Sequence, residues 1–400
     1  MKSYVTHLEC TACGTSHDHH QAVRTCPDCG KVLFPRYDLA RIRREVSPQV
    51  FAGRPATMWR YFELLPVLDP ANVVSLGEGG TPLLKAEALG RKLGLTSLYI
   101  KDEGLNPTGT FKARGLSAAV SKARELGIRR LTMPSAGNAA GAMAAYAARA
   151  GLEAHVFMPR DAPEANRKEC MAYGSHLTLV DGHIGDAGKL SRQRAAQEGL
   201  FDLSTLQEPY RVEGKKTMAL ELAQDMGWRT PDVILYPTGG GTGIIGMWKA
   251  FGELIELGWV EGPMPRFVAV QAQGCQPIVA AFHQGKDRAE PWPRPQTVAQ
   301  GLKVPGPFAD YLILRIVRET GGTALAVPDG DMVQAMAEVA REEGVLPCPE
   351  GAATLAALKR LVAQGYFHGD ERMVLLNTGS GLKYMELVSG EVTQGDASSA

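Results

Sequence analysis

The sequence carries no excess charge of either sign: its 400 residues hold 43 Lys and Arg against 43 Asp and Glu. A chain so balanced exerts no global pull on DNA, RNA or an anionic membrane, so a small-molecule partner is expected and a nucleic-acid or membrane partner is not. Long apolar runs are missing too. Residues 1–10 lack the apolar stretch of a secretory signal, and the most apolar segment, residues 139–148, is Ala-rich and too short to span a bilayer. A cytoplasmic protein is therefore expected. No fixed-period repeat and no heptad pattern occurs, which leaves a globular chain long enough for two or three units. Cysteine is sparse and uneven: of seven, Cys170, Cys275 and Cys348 are scattered and the other four cluster, so a disulfide framework is excluded.

That cluster reads Cys10-Thr-Ala-Cys13 and Cys26-Pro-Asp-Cys29-Gly30, two C-x-x-C knuckles with twelve residues between them. Tetrahedral Zn2+ takes four thiolates, and each knuckle turns tightly enough to offer two. The spacing predicts a structural zinc in a ribbon-like stub over residues 1–40. His7, His17, His19 and His20 lie nearby and are read as surface residues. Such ribbons serve either nucleic-acid contact or a small unit that needs metal because it has no core. The basic residues that follow, Arg36, Arg41, Arg43 and Arg44, are interrupted by Asp38 and Glu45, which favours the stub. Residues 41–75, rich in Pro and aromatics, are expected to form a connecting arm, and residues 391–400, small and polar, a frayed tail.

Beyond residue 76 short apolar runs alternate with helical-period segments. Strands are expected at 97–100, 131–133, 155–158, 177–180, 233–236, 267–271, 324–327 and 373–376. Helices are expected at 111–126, 139–150, 213–227, 242–257, 331–343 and 352–363. Strand–helix–strand repetition implies an α/β chain with mostly parallel sheets and helices on both faces.

Chemistry-bearing residues gather where strands end. In Asn106-Pro-Thr-Gly-Thr-Phe-Lys112, a turn leads from one strand into a helix that starts near Phe111. Lys112 is poorly placed for helix stability, since its charge opposes the positive end of the dipole; it is either an exposed lysine or an amine held for nucleophilic work, with its proton affinity lowered by burial and cationic neighbours. Pro134-Ser-Ala-Gly-Asn138 likewise opens a helix, where Ser135 and Asn138 either cap it or line an anion site of free amides. Gly239, Gly240, Gly241 and Gly243 with Thr242 make a nest of amides suited to a phosphate. Residues 241–246 also match a dinucleotide fingerprint, but the next strand ends in Gln271 and Gln273 with no acid for a ribose. That disfavours an NAD-dependent oxidoreductase. Thr378 and Ser380 follow the last strand as hydroxyls for a ring nitrogen or a substrate group. A lysine, an asparagine, a phosphate nest and a hydroxyl at strand ends together suit one phosphorylated aldehyde ring.

This constellation resembles the fold-type II pyridoxal-phosphate enzymes (tryptophan synthase β-like), and within them the threonine synthase family. The resemblance covers about residues 8–385. It rests on Gly77-Glu-Gly-Gly-Thr-Pro-Leu83, Asn106-Pro-Thr-Gly-Thr-Phe-Lys112, Ser135-Ala-Gly-Asn138, the glycine loop, Thr378-Gly-Ser-Gly-Leu-Lys383, and the ribbon running into Cys29-Gly-Lys-Val-Leu-Phe-Pro-Arg-Tyr-Asp38. It implies two parallel-sheet lobes within residues 76–390, the smaller near 119–205, and a homodimer. It further implies that Lys112 carries pyridoxal 5'-phosphate with Phe111 beside the ring, and that Asn138 bonds the ring's phenolic oxygen. Gly239, Gly240, Gly241, Thr242 and Gly243 would wrap the phosphate, and Thr378, or else Ser380, would meet the ring nitrogen. Thr81 and Ser135 would hold the substrate carboxylate. The implied activity is conversion of O-phospho-L-homoserine and water to L-threonine and phosphate. Three positions depart from the family pattern: Ala113 where Asp is usual, a loop without asparagines, and Ser380 where His is typical. These keep a threonine or serine dehydratase, or a related β-replacing enzyme, as the alternative.

Overall fold

Val233-Ile-Leu-Tyr-Pro237 offers no charged position to turn toward water. In the computed structural model, which describes residues 1–388, it forms a strand buried along its whole length. Such a strand belongs inside a parallel sheet covered on both faces. Strands β1 (Val5–Cys10), β2 (Ser16–His17) and β3 (Leu33–Tyr37) make a small antiparallel sheet in the order β2-β1-β3. β4 (Leu83–Lys85) and β5 (Ser97–Asp102) begin the larger sheet. β6 (Arg130–Pro134), β7 (Glu153–Pro159), β8 (His176–Val180) and β9 (Phe201–Asp202) form a separate parallel sheet in the order β8-β7-β6-β9. β10 (Val233–Pro237), β11 (Arg266–Ala272), β12 (Thr323–Val327) and β13 (Arg372–Asn377) return to the larger sheet, ordered β12-β11-β10-β13-β5-β4, in which only β4 runs antiparallel.

The chain is thus two α/β lobes preceded by a small cysteine-bearing sheet. Every strand expected from an apolar run is present. Besides the three strands of the cysteine-bearing sheet, the extra ones are β4 and β9, with three and two residues, too few for an alternation to register. The expected helices are found as Lys112–Glu125, Asn138–Ala150, Arg211–Asp225, Thr242–Leu257, Asp329–Glu343 and Pro349–Ala363. Helices Glu164–Ala172, Ile184–Glu198 and Asp310–Glu319 were not foreseen. The tail expected at 391–400 lies outside the described residues. No described helix is long and apolar enough to cross a membrane.

Register decides where the loops fall. Leu375 of β13 pairs with Ile100 of β5 on one side and with Leu235 of β10 on the other. The C-terminal ends of these three strands are therefore level, and the segments after Asp102, Pro237 and Asn377 emerge together. The Asn138–Ala150 helix buries Ala140, Ala142, Ala144 and Ala147, small side chains that let it pack closely on the Lys112–Glu125 helix.

Two buried charge clusters lock this arrangement. Arg114, fully buried, donates to Glu103 Oε2 (2.6 Å) and Oε1 (2.7 Å) and to both oxygens of Glu221 (2.7 Å each). Lys101 Nζ lies 3.0 Å from Glu221 Oε2. The cluster binds the end of β5 to two helices, and loss of one member of such a group costs about 3–5 kcal/mol. The second joins Tyr37 Oη to Glu213 Oε2 (2.6 Å), with Lys216 and Lys249 on the same carboxylate at 2.7 and 2.9 Å. It fastens the small sheet to the Arg211–Asp225 helix. Thr11 and Tyr311 share a hydrogen bond of 2.6 Å, and Arg24 lies 3.6 Å from Asp202, so the cysteine-bearing unit also touches the Asp310–Glu319 helix and β9. His19, expected at the surface, is instead buried, only 7% exposed.

Candidate active site

Thr108 (φ 60°) and Gly109 (φ 67°) both take left-handed backbone, turning the chain sharply after β5. The turn lays residues 109–111 beside 378–380: Phe111 N donates to Thr378 O (3.0 Å), Ser380 N donates to Gly109 O (2.9 Å), and Thr110 bridges Gly379. Two segments that are distant in sequence become one wall. Lys112 opens its helix from this wall, two residues ahead of the anchored Arg114. Its Nζ lies 4.6 Å from the centroid of the Phe111 ring, and Lys215 donates to the Phe111 carbonyl from 3.5 Å off the same centroid. Burial first, then the Arg211 guanidinium, bring the Lys112 amine down to about 8, against the opposing pull of Glu350 and Cys348. Of the two readings of Lys112, the exposed lysine is not the one found: the amine is enclosed and its proton affinity is lowered, as nucleophilic work requires.

Asn138 and Ser135 do not cap their helix, which has no side-chain cap bond. Asn138 Nδ2 donates to Tyr384 Oη (3.3 Å), and Ser135 Oγ accepts from Gly137 N (3.3 Å). In the first turn Ala140 N donates to Gly137 O (3.0 Å), while the amides of Asn138 and Ala139 go to no backbone carbonyl among the described residues.

The glycine loop enters the Thr242–Leu257 helix through Gly241, which stands at φ 79° with no side-chain cap. A Cβ on Gly239 would come within 2.1 Å of Gly301 O, on Gly240 within 2.8 Å of Thr205 Cγ2, on Gly241 within 2.3 Å of Ile313 Cδ1, and on Gly243 within 2.1 Å of Tyr236 Oη. Glycine is required at 239 by a backbone carbonyl, at 241 by its positive φ and at 243 by the buried Tyr236 ring, while at 240 only a Thr205 methyl stands in the way. Among the described residues the amides of 239–241 go to no backbone carbonyl. The loop is a cradle for an anion about the size of a phosphate.

Thr378 and Ser380 separate in role. Ser380 Oγ accepts from Leu382 N (3.2 Å) and caps the short helix Gly381–Leu387, while Thr378 is buried with its hydroxyl 3.7 Å from Cys348 Sγ. Burial pushes the Cys348 thiol well above its usual range, so both groups at this spot are neutral. Thr81 is not brought to the site. Its hydroxyl donates to Glu103 (2.6 Å) and accepts from Arg114 (3.0 Å), so it serves the ion cluster and has no capacity left for a substrate carboxylate.

Three site residues escaped the sequence reading. Arg211 is buried, donates to Leu203 O (2.6 Å), has no partner on Nε, and has no carboxylate in salt-bridge range among the described residues. Glu350 and Tyr384 form a second polar group beside Lys112. Neighbouring prolines and small residues gave none of them a signature.

The four cysteines of the small sheet stand with sulfur atoms within 4.8 Å of one another, Cys10 to Cys29 at 3.3 Å, Cys13 to Cys29 at 3.6 Å and Cys13 to Cys26 at 3.7 Å. These separations exceed a disulfide and approach the ~3.8 Å edge of a tetrahedron of thiolates around an ion at ~2.3 Å. His17 Nε2 sits 3.4 Å from Cys26 Sγ.

Residues 74–379 match the family model described as pyridoxal-phosphate dependent enzyme. A solved maize serine racemase superposes with a TM-score of 0.66 at 23% identity, over 77% of this chain and 91% of that one. The processed threonine deaminase isoform 2 of Solanum lycopersicum does so with a TM-score of 0.64 at 22% identity, over 77% and 82%. The fold and the site define a fold-type II pyridoxal-phosphate enzyme. The threonine synthase of Methanocaldococcus jannaschii is 36% identical over 94% of this chain and 92% of its own length, and that of Mycobacterium tuberculosis is 34% identical over 82% and 89%. The chain belongs to the threonine synthase family of pyridoxal-phosphate-dependent enzymes.

Proposed function

We propose that this enzyme converts O-phospho-L-homoserine and water to L-threonine and inorganic phosphate. The observation that carries this reading is Arg211, a buried cation beside Lys112 with no carboxylate within salt-bridge range and only the longer-range charges of Glu208 and Asp202 to offset it. A buried guanidinium whose charge is only partly offset, with burial still pulling its proton affinity down, is costly and has room for an anion. The glycine loop already suits the cofactor phosphate, so Arg211 is free for a second phosphate, that of the substrate.

Sterically obligatory glycines, a deprotonatable Lys112 and a neutral Thr378 all fit pyridoxal phosphate. Lys112 would hold its aldehyde carbon, Phe111 would flank the ring and Asn138 would meet its phenolic oxygen. Gly239, Gly240, Gly241, Thr242 and Gly243 would take the phosphate, and Thr378 would take the ring nitrogen, in preference to Ser380. When bound, the cofactor draws electrons from the substrate's Cα, so that Cα and Cβ become acidic and a group on Cγ can be expelled. Lys112, an amine near neutrality on a flexible stem, moves the carbon-bound protons at Cα and, before the phosphate leaves, at Cβ; the water that later adds at Cβ is a separate proton transfer. Ser135 and the free amides of the Asn138–Ala150 helix receive the substrate carboxylate. Thr378, being neutral, leaves the ring nitrogen without an enforced proton, which favours prompt loss of the leaving group.

The cysteine cluster fits a structural Zn2+ held by Cys10, Cys13, Cys26 and Cys29. The reading extends to a cytoplasmic homodimer that acts on an amino acid and has neither nucleic-acid nor membrane partners. A second reading, dehydration of threonine or serine, is favoured by the Gly-Gly-Gly-Thr-Gly form of the loop. Product analysis separates the two. Threonine with equimolar phosphate from O-phospho-L-homoserine is the expected outcome. A keto acid and ammonia from threonine or serine, with the phosphate ester untouched, would replace the first reading by the second.

A further inference from the structure

Glu350 is the second residue of the Pro349–Ala363 helix and only 5% exposed. An acid in a first helical turn ordinarily serves the dipole or a cap. Here the cap is made by Cys348, whose sulfur accepts from Gly351 N (3.3 Å). Glu350 turns elsewhere. Its Oε1 accepts from Gly301 N (2.6 Å) and from Tyr384 Oη (3.0 Å), and Tyr384 Oη in turn accepts from Asn138 Nδ2. Gly301 is the residue whose carbonyl abuts Gly239 of the phosphate cradle. The carboxyl therefore sits between the glycine loop, Asn138 and Lys112, and it faces the lysine closely enough for its charge to favour the ammonium.

Oε2 is the informative atom: it is buried and has no hydrogen-bond partner. No lysine or arginine among the described residues lies within salt-bridge range of Glu350. Both bonds of Oε1 could be kept by a glutamine at no cost in charge burial. A buried carboxyl with one idle oxygen is expensive, and such a group calls for a reason.

We propose that Glu350 is a second catalytic acid–base residue, taking the proton of the water that adds at Cβ while Lys112 handles the protons bound to carbon. This rests on the reading of the site as one where pyridoxal phosphate carries an amino-acid substrate beside Lys112. In the synthase direction the water oxygen bonds to Cβ and one water proton passes to Oε2 of Glu350. The Lys112 ammonium gives its proton to Cα, and the proton on Glu350 then returns to the Lys112 amine. Water is added across Cα and Cβ, nothing is oxidised or reduced, and both residues end as they began. A dehydratase would run the same exchange in reverse, with Glu350 protonating the departing hydroxyl.

The test is Glu350→Gln, which preserves shape and both bonds of Oε1, measured on the cofactor-loaded enzyme. The cofactor absorbance band and the exchange of the α-proton of L-threonine with D2O, followed by NMR, should stay within threefold of the parent. Threonine formed from O-phospho-L-homoserine should fall by about 100-fold or more, the range general acid–base catalysis supplies. Phosphate should still be released, with the unsaturated product leaving as 2-oxobutanoate, so that threonine per phosphate drops far below one. Threonine formation within threefold of the parent would overturn the proposal. Parallel loss of α-exchange and threonine would also overturn it, because Glu350 would then act through Lys112. If the glutamine variant fails to hold cofactor, Glu350→Asp keeps the charge but retracts it, and an unchanged threonine-to-phosphate ratio in that variant overturns the proposal. A parent enzyme that releases no phosphate refutes the substrate reading alone. The comparison then moves to keto acid formed from threonine, where retained α-exchange with a 100-fold fall is expected and equal losses refute.

Discussion

Gly241→Ala isolates how the phosphate cradle is held open. The residue stands at φ 79°, where a Cβ costs about 1–2 kcal/mol in backbone strain. The new methyl would lie 2.3 Å from Ile313 Cδ1 and 2.6 Å from its Cγ1. Ile313 is fully buried on the Asp310–Glu319 helix, so overpacking there adds about 1–3 kcal/mol. The variant should lose about 2–5 kcal/mol in urea unfolding, and its cofactor affinity, read by absorbance titration, should drop by roughly tenfold or more as the nest amides swing away. Ile313→Ala removes both clashing atoms. In that background Gly241→Ala should cost only the backbone part, about 1–2 kcal/mol, giving a coupling of about 1–3 kcal/mol between the two sites. A single variant within 0.5 kcal/mol of the parent, or two fully additive substitutions, would refute the account of this loop.

Two further outcomes follow from the site and the cysteine unit. With Lys112 near 8 rather than 10.5, capture of pyridoxal phosphate by the cofactor-free enzyme should accelerate up to about pH 8 and then level off, because only the neutral amine attacks. Arg211→Gln, which removes a cation that lowers this value, should move the midpoint upward, and a rate still climbing tenfold per pH unit at pH 9–10 would contradict the assignment. Elemental analysis should find one zinc per chain. Its removal by a chelator, or Cys26→Ser, should lower the unfolding midpoint by roughly 5–10 °C, since the unit braces two helices and β9; protein without metal, or an unmoved midpoint, would refute it.

Much of this was legible in the residues because some positions are constrained by sterics alone. Four of five residues at 239–243 are glycines for which the structure supplies four separate collisions, and few needs other than wrapping an anion call for such a run. The strand ends were legible because parallel strands buried on both faces leave uninterrupted apolar runs, as at Val233–Pro237. Thr81 shows the opposite case. The family resemblance implied a substrate contact for it, yet Glu103 and Arg114 consume its hydroxyl, and only the fold brings those partners together. Arg211 and Glu350 were invisible for a related reason. In sequence each is an ordinary charged residue at a helix start, and what distinguishes them is a missing partner, a property that no local pattern encodes. The Ile184–Glu198 helix was missed because its buried positions are Ala187, Gly188, Ser191 and Ala195, too weakly apolar to draw a helical stripe.

The stitching of residues 109–111 to 378–380 also bears on when activity can arise during synthesis. Asn377, beside this seam, donates to Asp102 (2.7 Å), a partner 275 residues earlier in the chain. At ~5–20 residues per second a ribosome needs roughly 15–55 s to travel that distance. From the moment residue 202 is made the small lobe can be complete, while throughout the interval β5 lacks β13 and the lysine turn has nothing to lie against. The nascent enzyme is therefore held inert by its own topology, with no reactive amine assembled until nearly the whole chain has been made.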